Sequence, residues 1–90
     1  MVAQMQHSTM VTAGQIRAAR ALIGWKQAEL AKAAGISEIS VKNIEREATD
    51  PRSSTVAAIQ AAFEKAGVVF LDSGDTRDGG PGVRLKKGRR

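Results

Sequence analysis

The chain has no cysteine and one histidine in its 90 residues, and these two gaps exclude much chemistry at once. Without cysteine there is no disulfide framework, no thiolate metal ligand and no thiol nucleophile, a usage that suits a reducing compartment. The lone His7 lies in an N-terminal stretch without periodicity, where no metal site or acid–base pair can be built around it. No apolar run approaches the ~20 residues that a bilayer span needs. The first fifteen residues also lack the apolar stretch of a secretory signal, so no export is expected. A Gly-rich phosphate loop leading into a helix is missing too, and a chain of 9.5 kDa leaves little room for a substrate pocket. An enzyme is therefore not expected, and neither is a cofactor or a metal.

What is abundant is positive charge, in one place. The net charge is +5 and the isoelectric point about 10.3. Residues 1–72 hold eight Lys/Arg against seven Asp/Glu, whereas residues 73–90 hold six against two. Composition thus suggests an anionic partner but mostly describes a basic C-terminus, which fits a solubilising tail and a nucleic-acid clamp equally well.

Helical periodicity fills the middle of the chain. Met1 to Val11 has none and reads as a disordered arm, within which Met10 offers an alternative start. Thr12 is a candidate N-cap, followed by Ile16, Ala19, Arg20 and Ile23 on one face of a helix that Gly24 ends. The second helix runs from Lys26/Gln27 to Ala34, with Leu30, Ala31 and Ala34 on its apolar side and Gly35 as its stop. Ser37 caps a third helix whose inward stripe is Val41 and Ile44. Pro51 breaks the pattern, Ser53 or Ser54 is expected to cap a fourth helix, and Val56, Ile59, Phe63 and Ala66 line that helix before Gly67. Beyond it the period changes to two short β-like runs, Val68–Leu71 and Val83–Lys86, around an Asp/Gly-rich loop. Such a hairpin is marginal alone and needs the helical core or a second subunit.

The segment from Gln27 to Glu45 pairs two short helices around a Gly turn. Its residues Gln27, Leu30, Ala31, Gly35, Ile36, Ser37, Val41, Ile44 and Glu45 resemble, at fixed spacing, the Cro/repressor-type (xenobiotic-response-element-like) helix-turn-helix regulators. The resemblance spans residues 12–66, and the ending after Ala66 looks like a group of small bacterial regulators within that family. It implies an all-α, four-helix, lambda-repressor-like DNA-binding domain over 12–66. A short C-terminal β-hairpin over 67–87 and a basic tail over 88–90 complete the expected organisation.

Within that frame the residues take roles. Arg20 sits on an apolar stripe, where it either snorkels to solvent or finds a partner; the resemblance implies that its partner is Glu45. With Val41 and Ile44 inward, Glu38, Ile39, Lys42, Asn43 and Arg46 project from the opposite face. By position in the resemblance, Glu38, Ile39, Lys42 and Asn43 are base-contact candidates: Glu38 toward cytosine N4, Ile39 toward a thymine methyl, Asn43 toward adenine. Gln27, Ser37, Ser40, Arg46, Thr49 and Arg52 are candidate phosphate contacts, although Ser37 and Thr49 also serve as plain cap and turn residues. The family usually places Gly soon after the residue matching Glu45. Here Arg46-Glu47-Ala48 stands there instead, so the third helix is expected to run a turn longer. Trp25 is expected to pack in the core against the fourth helix.

The expected function is a sequence-specific, cytoplasmic transcriptional repressor that binds an inverted-repeat operator as a homodimer through the helix over 37–47. Val68, Phe70, Val83 and Leu85 are its candidate dimer contacts. The alternative is a protein-binding regulator, antitoxin-like or anti-activator, that keeps the fold and uses the C-terminal segment to engage another protein.

Overall fold

The computed structural model describes residues 11–75 and 77–88. His7 and the rest of 1–10, Thr76, Arg89 and Arg90 lie outside them. Four helices are followed by a two-stranded antiparallel hairpin: α1 Ala13–Ile23, α2 Gln27–Ala34, α3 Glu38–Glu45, α4 Ser53–Lys65, β1 Val68–Leu71 and β2 Gly82–Leu85.

The helix boundaries follow from side chains that satisfy orphan backbone groups. Thr12 Oγ1 accepts the Gln15 N–H at 3.1 Å and Gln15 Oε1 accepts the Thr12 N–H at 2.8 Å, a capping box that starts α1. Ser37 Oγ accepts the Ser40 N–H at 3.0 Å and starts α3. The first three helices stop in one way, with a left-handed residue followed by an amide that reaches back across the last turn. Gly24 (φ +71°) precedes Trp25 N–H donating to Arg20 O, and Gly35 (φ +74°) precedes Ile36 N–H donating to Ala31 O.

At the end of α3 the same geometry is built without glycine. Glu47 takes the left-handed conformation itself, at φ +59°, and Ala48 N–H donates to Asn43 O at 2.9 Å. The expected extra turn is therefore absent, because the last carbonyls of α3 are already answered at Glu45–Ala48 by this return. Two further expectations are corrected. Neither Ser53 nor Ser54 caps α4: Arg52, extended after Pro51, is the N-cap residue, and its carbonyl accepts from both Thr55 and Val56. Val11, assigned above to a disordered arm, is 7% exposed and belongs to the core.

That core is formed by Ile16 and Ala19 of α1, Leu30 and Ala31 of α2, Val41 and Ile44 of α3, and Val56, Ile59 and Phe63 of α4. Burying each large aliphatic or aromatic side chain contributes about 1.5–3 kcal/mol, so the packing of four short helices outweighs their weak intrinsic stability. Trp25 stacks on Phe63 at 5.5 Å between centroids, and Phe63 meets Phe70 edge-on at 5.9 Å. This aromatic row ties the α1–α2 connection to α4 and β1.

The hairpin pairs Val68 with Leu85 and Phe70 with Val83, so these four alternate residues share one face, and that face lies against the helices. Val68 is only 2% exposed, and its surface is spent inside its own chain; Phe70, Val83 and Leu85 are half-buried on the same core. The buried Gln15 closes the far end. Its Nε2 donates to Leu71 O at 3.1 Å and Gly82 O at 2.9 Å, two residues that face each other across the strands.

The left-handed Glu47 leads to a prediction. A side-chain-bearing residue costs roughly 1–2 kcal/mol there, whereas glycine adds some unfolded-chain entropy. Glu47→Gly is therefore expected to raise stability by about 0.5–1 kcal/mol, read as a higher midpoint in urea unfolding. An equal or lower midpoint would show that the Glu47 side chain stabilises the turn.

Candidate nucleic-acid interface

The inward side of α3 carries Val41, Ile44 and Glu45, all buried. Glu45 is 3% exposed, and an isolated carboxylate at that depth would be severely destabilising. Three donors answer it. Arg20 Nε reaches Oε2 at 2.6 Å, Arg20 Nη2 reaches Oε1 at 2.9 Å, and Gln27 Nε2 reaches Oε1 at 3.1 Å. The two-pronged arginine contact suits a planar guanidinium facing a carboxylate. A third arginine N–H, on Nη1, goes to Trp25 O at 3.1 Å, so Arg20 joins α1, the α1–α2 turn and α3.

Glu45 raises the pKa of Arg20 above its already high ordinary value, chiefly through their hydrogen bonds; burial opposes the shift and the carboxylate charge adds to it. A cation whose pKa is raised on folding contributes stability at every pH below its unfolded value. The contribution of Arg20 is lost only in strong alkali and does not titrate near neutrality.

Arg17, one turn before Arg20 on α1, was not among the residues singled out from the sequence. Its Nη1 donates to the backbone carbonyl of Glu45. That contact supplies a cation to the C-terminal, negative end of the α3 dipole. The i, i+3 spacing of Arg17 and Arg20, which sets both toward one neighbour, is the signal that could have found it.

With Glu45 held inward, the other side of α3 is turned outward. Glu38, Ile39, Lys42 and Arg46 are exposed, and Asn43 is half-buried. Ile39 is 67% exposed, a large apolar side chain in the middle of a polar face. Arg46 Nη2 donates to Asn43 Oδ1 at 3.1 Å, which fixes the amide with its NH2 group turned away from that contact.

Depressions flank α3 on two sides. One is lined by Arg17, Gln27, Ile39, Lys42, Asn43 and Arg46, with the Arg20–Glu45 pair also in its wall. The other is lined by Ser40, Asn43, Thr49, Pro51 and Thr55, with Ile44 in its wall. Of the residues nominated as phosphate contacts, Gln27 and Arg46 thus fall on the first side and Ser40 and Thr49 on the second. Ser37 is occupied as the cap of α3, its hydroxyl also bonded to Ser40 Oγ at 2.9 Å. Arg52 is exposed at the start of α4 and lines neither depression. Gln27 has given one amide N–H to Glu45, which leaves the other N–H and the carbonyl for an outside ligand.

A helix-turn-helix family model matches residues 16–68, well over half of the chain, and the chain belongs to this family, of the Cro/C1 (xenobiotic-response-element-like) type. It is a family of DNA-binding transcription regulators and is not typically enzymatic. Among curated proteins no relative matches the chain. No helix among the described residues is long and apolar enough to cross a membrane.

The Arg20–Glu45 pair is testable by a double-mutant cycle. Arg20→Met leaves a buried carboxylate without its main partner and is expected to cost about 3 kcal/mol in urea unfolding. Arg20→Met combined with Glu45→Leu should recover much of that loss. Strict additivity of the two single changes would show that the side chains act independently.

Proposed function

We propose that this chain is a repressor that binds an inverted-repeat operator as a homodimer, with α3 of each protomer in the major groove. Its setting is the bacterial cytoplasm. The observation that carries this reading is the division of α3: the buried Glu45 clamp fixes one side, and the opposite side presents Glu38, Ile39, Lys42 and Asn43 together.

The chemistry of that set suits base edges. Glu38 accepts from cytosine N4, Ile39 packs on a thymine methyl, and Lys42 donates to guanine O6 or N7. Asn43 donates its amide NH2 to a purine N7 and, through the second lone pair on Oδ1, still accepts from adenine N6. The backbone contacts of the proposal are Gln27, Ser37, Ser40, Arg46, Thr49 and Arg52, which lie around α3, in the loop after it and at the start of α4.

A single recognition helix reads few base pairs, and two-fold pairing supplies the rest, with half-sites about one helical turn (~34 Å) apart. The dimer element of this reading is the C-terminal hairpin. Phe70, Val83 and Leu85 keep part of their surface open for it, whereas Val68 supports the hairpin from within.

Selection of bound duplexes from a random pool should yield an inverted repeat. On that duplex, Lys42→Glu, Asn43→Ala and Arg46→Glu combined are expected to weaken binding by at least 100-fold while leaving the thermal midpoint unchanged. Wild-type affinity in this variant would sink the assignment of α3. Sedimentation equilibrium should give twice the 9.5 kDa chain mass, and two chains per duplex. A monomer that binds one half-site with full affinity would remove the dimer from the proposal.

A further inference from the structure

The depression beside α3 that contains Gln27 and Lys42 gathers more positive charge than the near-neutral helical region suggests. Arg17, Lys42 and Arg46 stand around it, with Arg20 and Glu45 in its wall. Glu45 is already engaged: Arg20 binds both carboxylate oxygens, and Gln27 shares one of them. Among the described residues the only ion pair is Arg20–Glu45, so no carboxylate lies within salt-bridge distance of Arg17, Lys42 or Arg46. Three like charges around one depression repel one another, and an anion seated among them relieves that repulsion.

Arg17 is the member of this group that comes from outside α3. It is exposed, yet it is tethered by its bond to the Glu45 carbonyl. That bond uses one of several guanidinium N–H groups and leaves most of the planar fork for another acceptor. The tether also removes part of the rotamer freedom that a long side chain would otherwise lose on binding.

We infer that Arg17 is a phosphate-binding residue: together with Arg46, and beside the base-reading Lys42, it grips the sugar–phosphate backbone of a duplex along the α1 side of α3. The inference rests on the reading of α3 as the groove-entering helix. A phosphodiester is the anion that fits, because a row of them borders the groove an inserted helix occupies. Arg17 thereby fixes the tilt of α3 without reading any base.

The test uses the full chain and a mixed-sequence duplex, with affinity measured across a range of salt concentrations. Arg17→Gln removes the charge but keeps a donor for the Glu45 carbonyl, and Arg17→Lys keeps the charge. The slope of log affinity against log salt is expected to fall by about 0.9 in Arg17→Gln. Arg17→Lys should restore the wild-type slope, and the loss should be equal on duplexes of different sequence. An unchanged slope in Arg17→Gln overturns the inference, and a lowered thermal midpoint alone would reduce Arg17 to a cap of α3. If the wild-type chain binds no duplex at any salt, the assignment of α3 fails and this inference falls with it. A wild-type chain that binds while Arg17→Gln matches its slope refutes the role of Arg17 alone.

Discussion

A carboxylate buried at the end of a helix has to be answered by donors from elsewhere, and here those donors set the relative placement of three helices. Arg20 comes from α1 and Gln27 from the first residue of α2, while Glu45 sits at the last residue of α3. Breaking such a contact is costly because the carboxylate left behind cannot reach water. The pair adds little by itself over a well-packed apolar substitute, but unlike an apolar contact it accepts only one register. A rotation of α3 by one residue would leave both charges stranded. The orientation of Glu38, Ile39, Lys42 and Asn43 relative to the rest of the domain follows from that register.

The charge distribution takes on a different meaning once the helices are placed. The helical region is nearly neutral in composition, yet its charges are not mixed evenly in space. One carboxylate is withdrawn into the core, and three cations remain around a single depression beside α3. A local positive field of this kind needs no basic domain to produce it.

Helix positions were largely legible because their punctuation is chemical: Thr12 and Ser37 accept backbone N–H groups, and Gly24 and Gly35 permit left-handed stops. The end of α3 was misread for the same reason, since the residue at the left-handed position is Glu47 and its identity advertises nothing of the kind. Val11 escaped because a single apolar residue before a cap has no periodicity to reveal it. Arg17 and Gln15 were missed because their partners are backbone carbonyls far along the chain, and a carbonyl carries no residue identity. The apolar face of the hairpin was readable, but which surface it covers depends on tertiary packing.

Gln15 has one further consequence. The same side chain caps the first turn of α1 through Oε1 and bridges the two strands at the loop end of the hairpin through Nε2. The two jobs use opposite ends of one amide, so neither can be released without loosening the other. Fraying of β2 at Gly82 and fraying of the α1 N-terminus both break bonds of this one side chain, so opening at either place is expected to loosen the other and to draw the hairpin into the unfolding of the helices. Slowly exchanging amides in β1 and β2 would share their opening free energy with those at the start of α1.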